Sequence, residues 1–118
     1  MAKRFLIVDD SKTYRAIMRE LVVSMGHEVV GEAVDGVEAV EKHKELHPDV
    51  TLLDIEMPRM VGIDALKAIM ADDPEAAIIM LTSVDDMGVV DDCIMSGARD
   101  YIRKDKLDQA PQRIQDVI

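Results

Sequence analysis

Two adjacent carboxylates, Asp9 and Asp10, stand where the apolar run "FLIV" ends, and a third, Asp54, stands where "VTLL" ends. The Asp-Asp dipeptide recurs at 72–73, 85–86 and 91–92, so the dipeptide itself says little and its place after an apolar run says more. Carboxylates brought together repel one another unless something positive sits between them. An all-oxygen cluster of this kind is the hard-ligand environment that suits Mg²⁺. Thr82 follows "AIIML", with the small Ser83 beside it, and Lys104 follows "DYIR". A hydroxyl and an ammonium facing an acidic metal site are useful for chemistry on a phosphoryl group. The lysine neutralises phosphate oxygens as a point charge, and the threonine donates a hydrogen bond to one.

Such chemistry requires that the runs ending in these residues lie side by side. Five short stretches read as strands: 4–8, 27–33, 49–53, 76–81 and 98–102. Three of them are almost continuously apolar, as expected of central parallel strands covered on both faces. Helical patterns separate them. In 11–25, Tyr14, Ile17, Met18, Leu21, Val22 and Met25 form one apolar stripe, with Ser11 to cap its start and Gly26 to close its end. A second helix opens at Asp35, with Glu38 three residues on in a capping-box arrangement. A third covers about 63–71, a fourth about 86–96 with Val89, Val90, Cys93 and Ile94 inward, and a last one starts near Leu107, with Pro111 in its first turn. Strict alternation predicts a flavodoxin-like (βα)5 fold, a doubly wound parallel sheet of order 2-1-3-4-5. Its ligand crevice lies at the carboxyl ends of strands 1 and 3, where Asp9, Asp10 and Asp54 fall.

Composition narrows the function. A chain of 118 residues suits one domain, 1–118, with a single sizeable core, built here with only 3% aromatic residues. No apolar run is long enough to span a bilayer and no signal peptide is recognisable, which speaks against a membrane role. One cysteine, Cys93, rules out an internal disulfide and fits a reducing, cytoplasmic setting. A net charge of −10 disfavours direct nucleic-acid binding and is compatible with a divalent cation or a basic partner. His27, His43 and His47 have no ligand spacing and read as surface or packing residues. Cys93, on an apolar stripe, reads as a small buried hydrophobe. Met57, Pro58 and Met60 shape the loop after Asp54, and Gly62 allows the turn before the third helix.

Taken singly, these residues have ordinary explanations: Asp9 or Asp10 as a helix cap, Thr82 as a strand-end hydroxyl, Lys104 as a solvated charge. Taken in order, "VDD", "DIEMPRMVG" (54–62), "TS" (82–83), Tyr101 and Lys104 resemble the response-regulator receiver domains of two-component signalling over essentially the whole chain. The resemblance implies that Asp54 is the phosphoacceptor and that Asp10 and Asp54 ligate Mg²⁺ directly. Asp9 would act mainly through water, and the Glu56 backbone carbonyl would be a further ligand. It implies that Lys104 pairs with the phosphoryl oxygens, that Thr82 moves to bond them, and that Tyr101 changes rotamer in step. A sensor histidine kinase would supply the phosphoryl group. A downstream protein target would read the face of helix 4, strand 5 and helix 5, with a chemotaxis regulator as one setting. The chain would be a monomer or a phosphorylation-dependent dimer, and a signalling module rather than an enzyme. The Glu56 side chain stands where it could tune access of the hydrolytic water.

Two departures qualify the resemblance. The family usually follows its lysine with a cis proline that helps aim the ammonium. Here Asp105 follows, which predicts a trans bond and a carboxylate that competes for Lys104. The last helix also stops early, at "QRIQDVI", which keeps open a receiver fragment of a larger regulator with a DNA-binding or enzymatic output domain. A Mg²⁺-dependent phosphatase is a further alternative, but that class wants an Asp two residues after its nucleophile, and Glu56 stands there. A flavodoxin-type cofactor binder is weaker, because the loop after strand 1 has no small-residue phosphate cradle.

Overall fold

The computed structural model describes residues 2–57, 59–83 and 87–118. Pro58, and the expected start of the fourth helix at Asp86, lie outside the described residues. The elements follow the expected alternation: β1 (Arg4–Val8), α1 (Lys12–Ser24), β2 (Glu28–Ala33), α2 (Gly36–Leu46), β3 (Val50–Asp54), α3 (Gly62–Asp72), β4 (Ala77–Thr82), α4 (Met87–Met95), β5 (Asp100–Arg103) and α5 (Ala110–Val117). A single 3₁₀ turn, Leu107–Gln109, leads into α5 where the sequence predicts helix from Leu107. All strand pairings are parallel and the order is β2-β1-β3-β4-β5.

The apolar strands alternate between two cores. Phe5 and Ile7 of β1, Val50 and Leu52 of β3, and Ile79 and Leu81 of β4 pack with Met18 and Val22 of α1 and Ala110 and Ile114 of α5. Leu6, Val8, Leu53, Ile78 and Met80 point the other way, against Ala39 of α2, Ala65, Leu66 and Ile69 of α3, and Val90 and Cys93 of α4. Burial on both faces is why these runs carry no polar alternation. Ile17 and Ile94, assigned inward by periodicity, are exposed, because each lies at the margin of a stripe whose centre is held by Met18 and Val22 or by Val90 and Cys93. His43 is buried in α2, and burial holds its pKa below the usual value, as befits a packing histidine.

The helix starts obey the caps read from sequence. Ser11 Oγ accepts from the Tyr14 N–H at 3.3 Å, and Asp35 Oδ1 accepts from the Glu38 N–H at 2.8 Å. The Glu38 carboxylate turns outward and pairs with Lys42 at 3.3 Å. Gly26 (φ +86°) and Gly97 (φ +115°) follow α1 and α4 in left-handed conformations that glycine adopts without strain. Gly62 serves by close approach rather than by turning. A Cβ built there would lie 2.2 Å from the Asp54 carbonyl oxygen and 2.6 Å from Ile55 Cα, neither of which is a flexible side-chain end. Its N–H donates to the Ile55 carbonyl at 2.7 Å, tying the start of α3 to the strand that carries Asp54. Gly62→Ala is expected to destabilise the fold by about 3 kcal/mol, the upper range for overpacking, as read by urea unfolding.

The strands carrying the candidate site extend one residue beyond the apolar runs. Asp54 pairs with Leu81, and Thr82 pairs with Arg103, so both belong to the last rung of the ladder instead of the loops beyond it. A polar residue ends the apolar run without ending the ladder, because the pairing uses backbone groups alone.

Candidate functional site

Asp9 leaves β1 with its N–H donating to the Ala33 carbonyl at 3.1 Å. Its Oδ1 accepts from the Ser11 N–H at 2.9 Å. Its carbonyl accepts from Arg15 Nη1 at 2.8 Å, and Arg15 is in turn paired with Glu32 of β2 at 3.1 Å. The second carboxylate oxygen, Oδ2, is fully buried and forms an ion pair with the Lys104 ammonium at 2.7 Å. Asp54 is buried too, with Lys104 Nζ at 3.5 Å. Asp10 is exposed, and oxygens of Asp9, Asp10 and Asp54 lie within 4.8 Å of one another.

The convergence expected from the topology is therefore met by the three carboxylates and Lys104. Asp10, Asp54 and Lys104 line a cavity of about 390 Å³ together with Glu56, Met57 and Ser83, and Asp9 is buried behind it. Thr82 is buried at the end of β4, and its carbonyl accepts from the Lys104 N–H at 2.8 Å, while the cavity wall itself is formed by Ser83. Tyr101 lies back from that edge, opposite Met80 and half-buried on β5, with the Arg113 guanidinium 4.7 Å from its ring centre. Arg113 also bonds Asp100 at 2.8 Å.

Electrostatics follow from burial. Desolvation, reinforced by the Asp9 charge, pushes the Asp54 pKa from 3.8 to about 7, and Lys104 offsets only part of this. Burial alone would lower the Lys104 pKa, but Asp9 and Asp54 outweigh it and raise the value, so the ammonium stays charged. The cluster holds more negative charge than one lysine neutralises. Its surplus of carboxylate charge, all-oxygen donor set and open cavity fit a hard divalent cation.

Two expectations about Lys104 meet different outcomes. The Lys104–Asp105 bond is trans, as expected. Asp105 does not compete for the ammonium, because Arg103 holds it in a two-bond pair at 3.0 and 2.8 Å. Planar guanidinium and carboxylate match in a way that an ammonium cannot. Two contributors escape the sequence reading. Arg15 fixes the Asp9 backbone from α1, and Tyr14, assigned to the core stripe of α1, has its ring 4.3 Å beneath Lys104 Nζ. The scarcity of aromatics is the signal that could have singled out Tyr14.

Among the described residues no helix is long and apolar enough to cross a membrane. Residues 5–115 match the family model of the response regulator receiver domain. The chain is 48% identical over 104 residues to the chemotaxis protein CheY of Thermotoga maritima, covering 88% of this chain and 87% of that protein. It is 47% identical over 104 residues to CheY of Bacillus subtilis, with the same coverage of both chains. In structure it is similar to the chain from a CheX-CheY-BeF3-Mg complex of Borrelia burgdorferi, at a TM-score of 0.94 and 36% identity, covering 98% of this chain and 88% of that one. A match that takes in every strand of the sheet, with near-half identity over most of two complete relatives' length, makes this chain a member of the response regulator receiver domain family.

Proposed function

We propose that the chain is a phosphorylation-switched signalling module whose phosphoacceptor is Asp54. The observation that carries this reading is the buried Asp54 carboxylate at the wall of an open cavity, with Lys104 at 3.5 Å and two further carboxylates beside it. An Asp54 carboxylate oxygen attacks phosphorus in line. The new O–P bond forms as the bond to the donor's leaving group breaks, and the electron pair departs with that group. Lys104 balances charge on the phosphoryl oxygens, and the Thr82 and Ser83 hydroxyls lie on the same edge to bond them. Mg²⁺ would be held by Asp10 and Asp54, by Asp9 through water and by the Glu56 carbonyl, and when bound it supplies charge neutralisation for carboxylates and phosphate together.

A phosphohistidine of a sensor kinase is the natural donor, and a protein is the natural receiver of the signal, as a chemotaxis-type regulator would require. The product replaces a carboxylate by a group near charge −2, which draws hydroxyl and ammonium inward. Tyr101 on β5, held by Arg113 of α5, is the side chain through which that shift would reach the α4–β5–α5 face. The reading is of a binding and switching module, with Asp54 taking part only in its own phosphorylation and hydrolysis.

Incubation with acetyl phosphate, followed by intact mass, tests the reading. One phosphoryl adduct is expected with Mg²⁺ and none after chelation by EDTA. A folded protein that takes no adduct under any Mg²⁺ concentration would overturn it.

A further inference from the structure

We propose that Tyr14 is a positioning residue for phosphoryl transfer, its ring face holding the Lys104 ammonium over the cavity when the carboxylates are otherwise engaged. This rests on the phosphoacceptor reading of Asp54.

The Lys104 backbone is fixed by its N–H to the Thr82 carbonyl, but its side chain is a four-carbon stem that reaches the site through freely rotating bonds. Among the described residues, three contacts define where the ammonium rests: Asp9 Oδ2 at 2.7 Å, Asp54 Oδ2 at 3.5 Å and the Tyr14 ring at 4.3 Å from its centre. The first two are carboxylates of the acidic cluster. A divalent cation among them draws on the same oxygens, and transfer converts one of them to an acyl phosphate. Both therefore loosen their hold on Lys104 as the site is loaded. The Tyr14 face is the contact that does not change. It is an uncharged ring that attracts a cation through its quadrupole and contributes most where water is excluded. The Lys104 side chain is only 7% exposed, so the contact is made in such a place.

The local fold holds Tyr14 to this task. Its N–H is bound by the Ser11 cap at the first turn of α1, and its neighbour Arg15 is anchored to both the Asp9 carbonyl and Glu32. The ring thus moves with the backbone that carries Asp9. On the other side, Arg103 sequesters Asp105, the one acidic residue adjacent to Lys104 in sequence, so that nothing next in the chain pulls the ammonium outward.

The test compares wild type, Tyr14→Phe and Tyr14→Leu. Three quantities are read: the phosphorylation rate constant with acetyl phosphate and Mg²⁺, the Mg²⁺ dissociation constant by calorimetry, and the ring-current shift of the Lys104 Cε protons by NMR. Tyr14→Phe keeps the ring face and is expected to retain most of the rate and the upfield shift. Tyr14→Leu is expected to lose the shift and about tenfold in rate, with Mg²⁺ affinity close to wild type. Phosphorylation of Tyr14→Leu at the wild-type rate would overturn the role, as would an equal loss in Tyr14→Phe, which would point to the hydroxyl. The NMR arm separates the two readings. An upfield shift in a wild type that takes no phosphoryl group refutes the Asp54 reading while leaving the Lys104–Tyr14 contact intact. Absence of the shift in a wild type that is phosphorylated refutes Tyr14 alone.

Discussion

Asp54→Asn is expected to take up no phosphoryl group and to be more stable than wild type at about pH 8 without Mg²⁺, by on the order of 3 kcal/mol. The two effects have one origin. Asp54 is buried beside Asp9, and its folded-state pKa of about 7 lies well above the 3.8 of an unperturbed carboxyl. Between these values the folded protein binds the proton that the unfolded chain has released. Stability therefore declines as pH rises from about 4 to about 7, and above that range the full cost of a buried, crowded carboxylate is carried. An amide has the same shape and no charge, so the variant's stability should be much flatter over this range. Divalent cation should reverse the order. Mg²⁺ bound as proposed would stabilise wild type through the folded state and would have fewer charged ligands in the variant. Urea unfolding at about pH 5 and about pH 8, with and without Mg²⁺, checks all four corners. Equal stability of the two proteins at high pH would mean that Asp54 is better solvated or better paired than its burial implies.

Lys104→Met is expected to move stability the opposite way, by about 3 kcal/mol at about pH 8 in the absence of Mg²⁺. The substitution keeps an unbranched chain of similar length and removes the ammonium that lies 2.7 Å from Asp9 and 3.5 Å from Asp54. Truncating one partner of a buried pair leaves the other charge unpaired, and here two carboxylates are left. The loss should shrink toward about pH 5, where Asp54 takes up a proton and only Asp9 needs a counter-charge. Saturating Mg²⁺ should recover much of it by supplying the missing positive charge. Phosphorylation should still slow strongly even in Mg²⁺, because the phosphoryl oxygens then lack the cation on their other side. A variant as stable as wild type at high pH would show that the ion pairs contribute little beyond their desolvation cost.

Asp9, Asp10 and Asp54 could be found from the sequence because each closes an apolar run, and in a parallel sheet of order 2-1-3-4-5 those ends meet at one edge. The fold was legible for the same reason. Apolar runs covered on both faces alternate with helices whose starts are marked by Ser11 and Asp35 and whose ends are followed by Gly26 and Gly97. What escaped was set by distances between elements rather than by spacing along one. Gly62 reads as a turn residue until the Asp54 carbonyl is seen packed against its Cα. Asp105 reads as a competitor for Lys104 until Arg103, two residues away on the same strand end, is seen to claim it. Tyr14 fits the period of an apolar stripe equally well whether its ring enters the core or faces Lys104, the residue just past β5. Periodicity gives the side of a helix, and the first turn of α1 stands where the core gives way to the acidic edge.

The central claim is that the Asp54 side chain itself carries the phosphoryl group, and chemical trapping tests it most directly. Wild type would be incubated with Mg²⁺ and acetyl phosphate, reduced with borohydride, digested and sequenced by mass spectrometry. An acyl phosphate is reduced to an alcohol, so homoserine at position 54 alone, dependent on both Mg²⁺ and donor, is the expected result. Homoserine at another aspartate, or an unreduced Asp54 in protein that carries the adduct, would contradict the account.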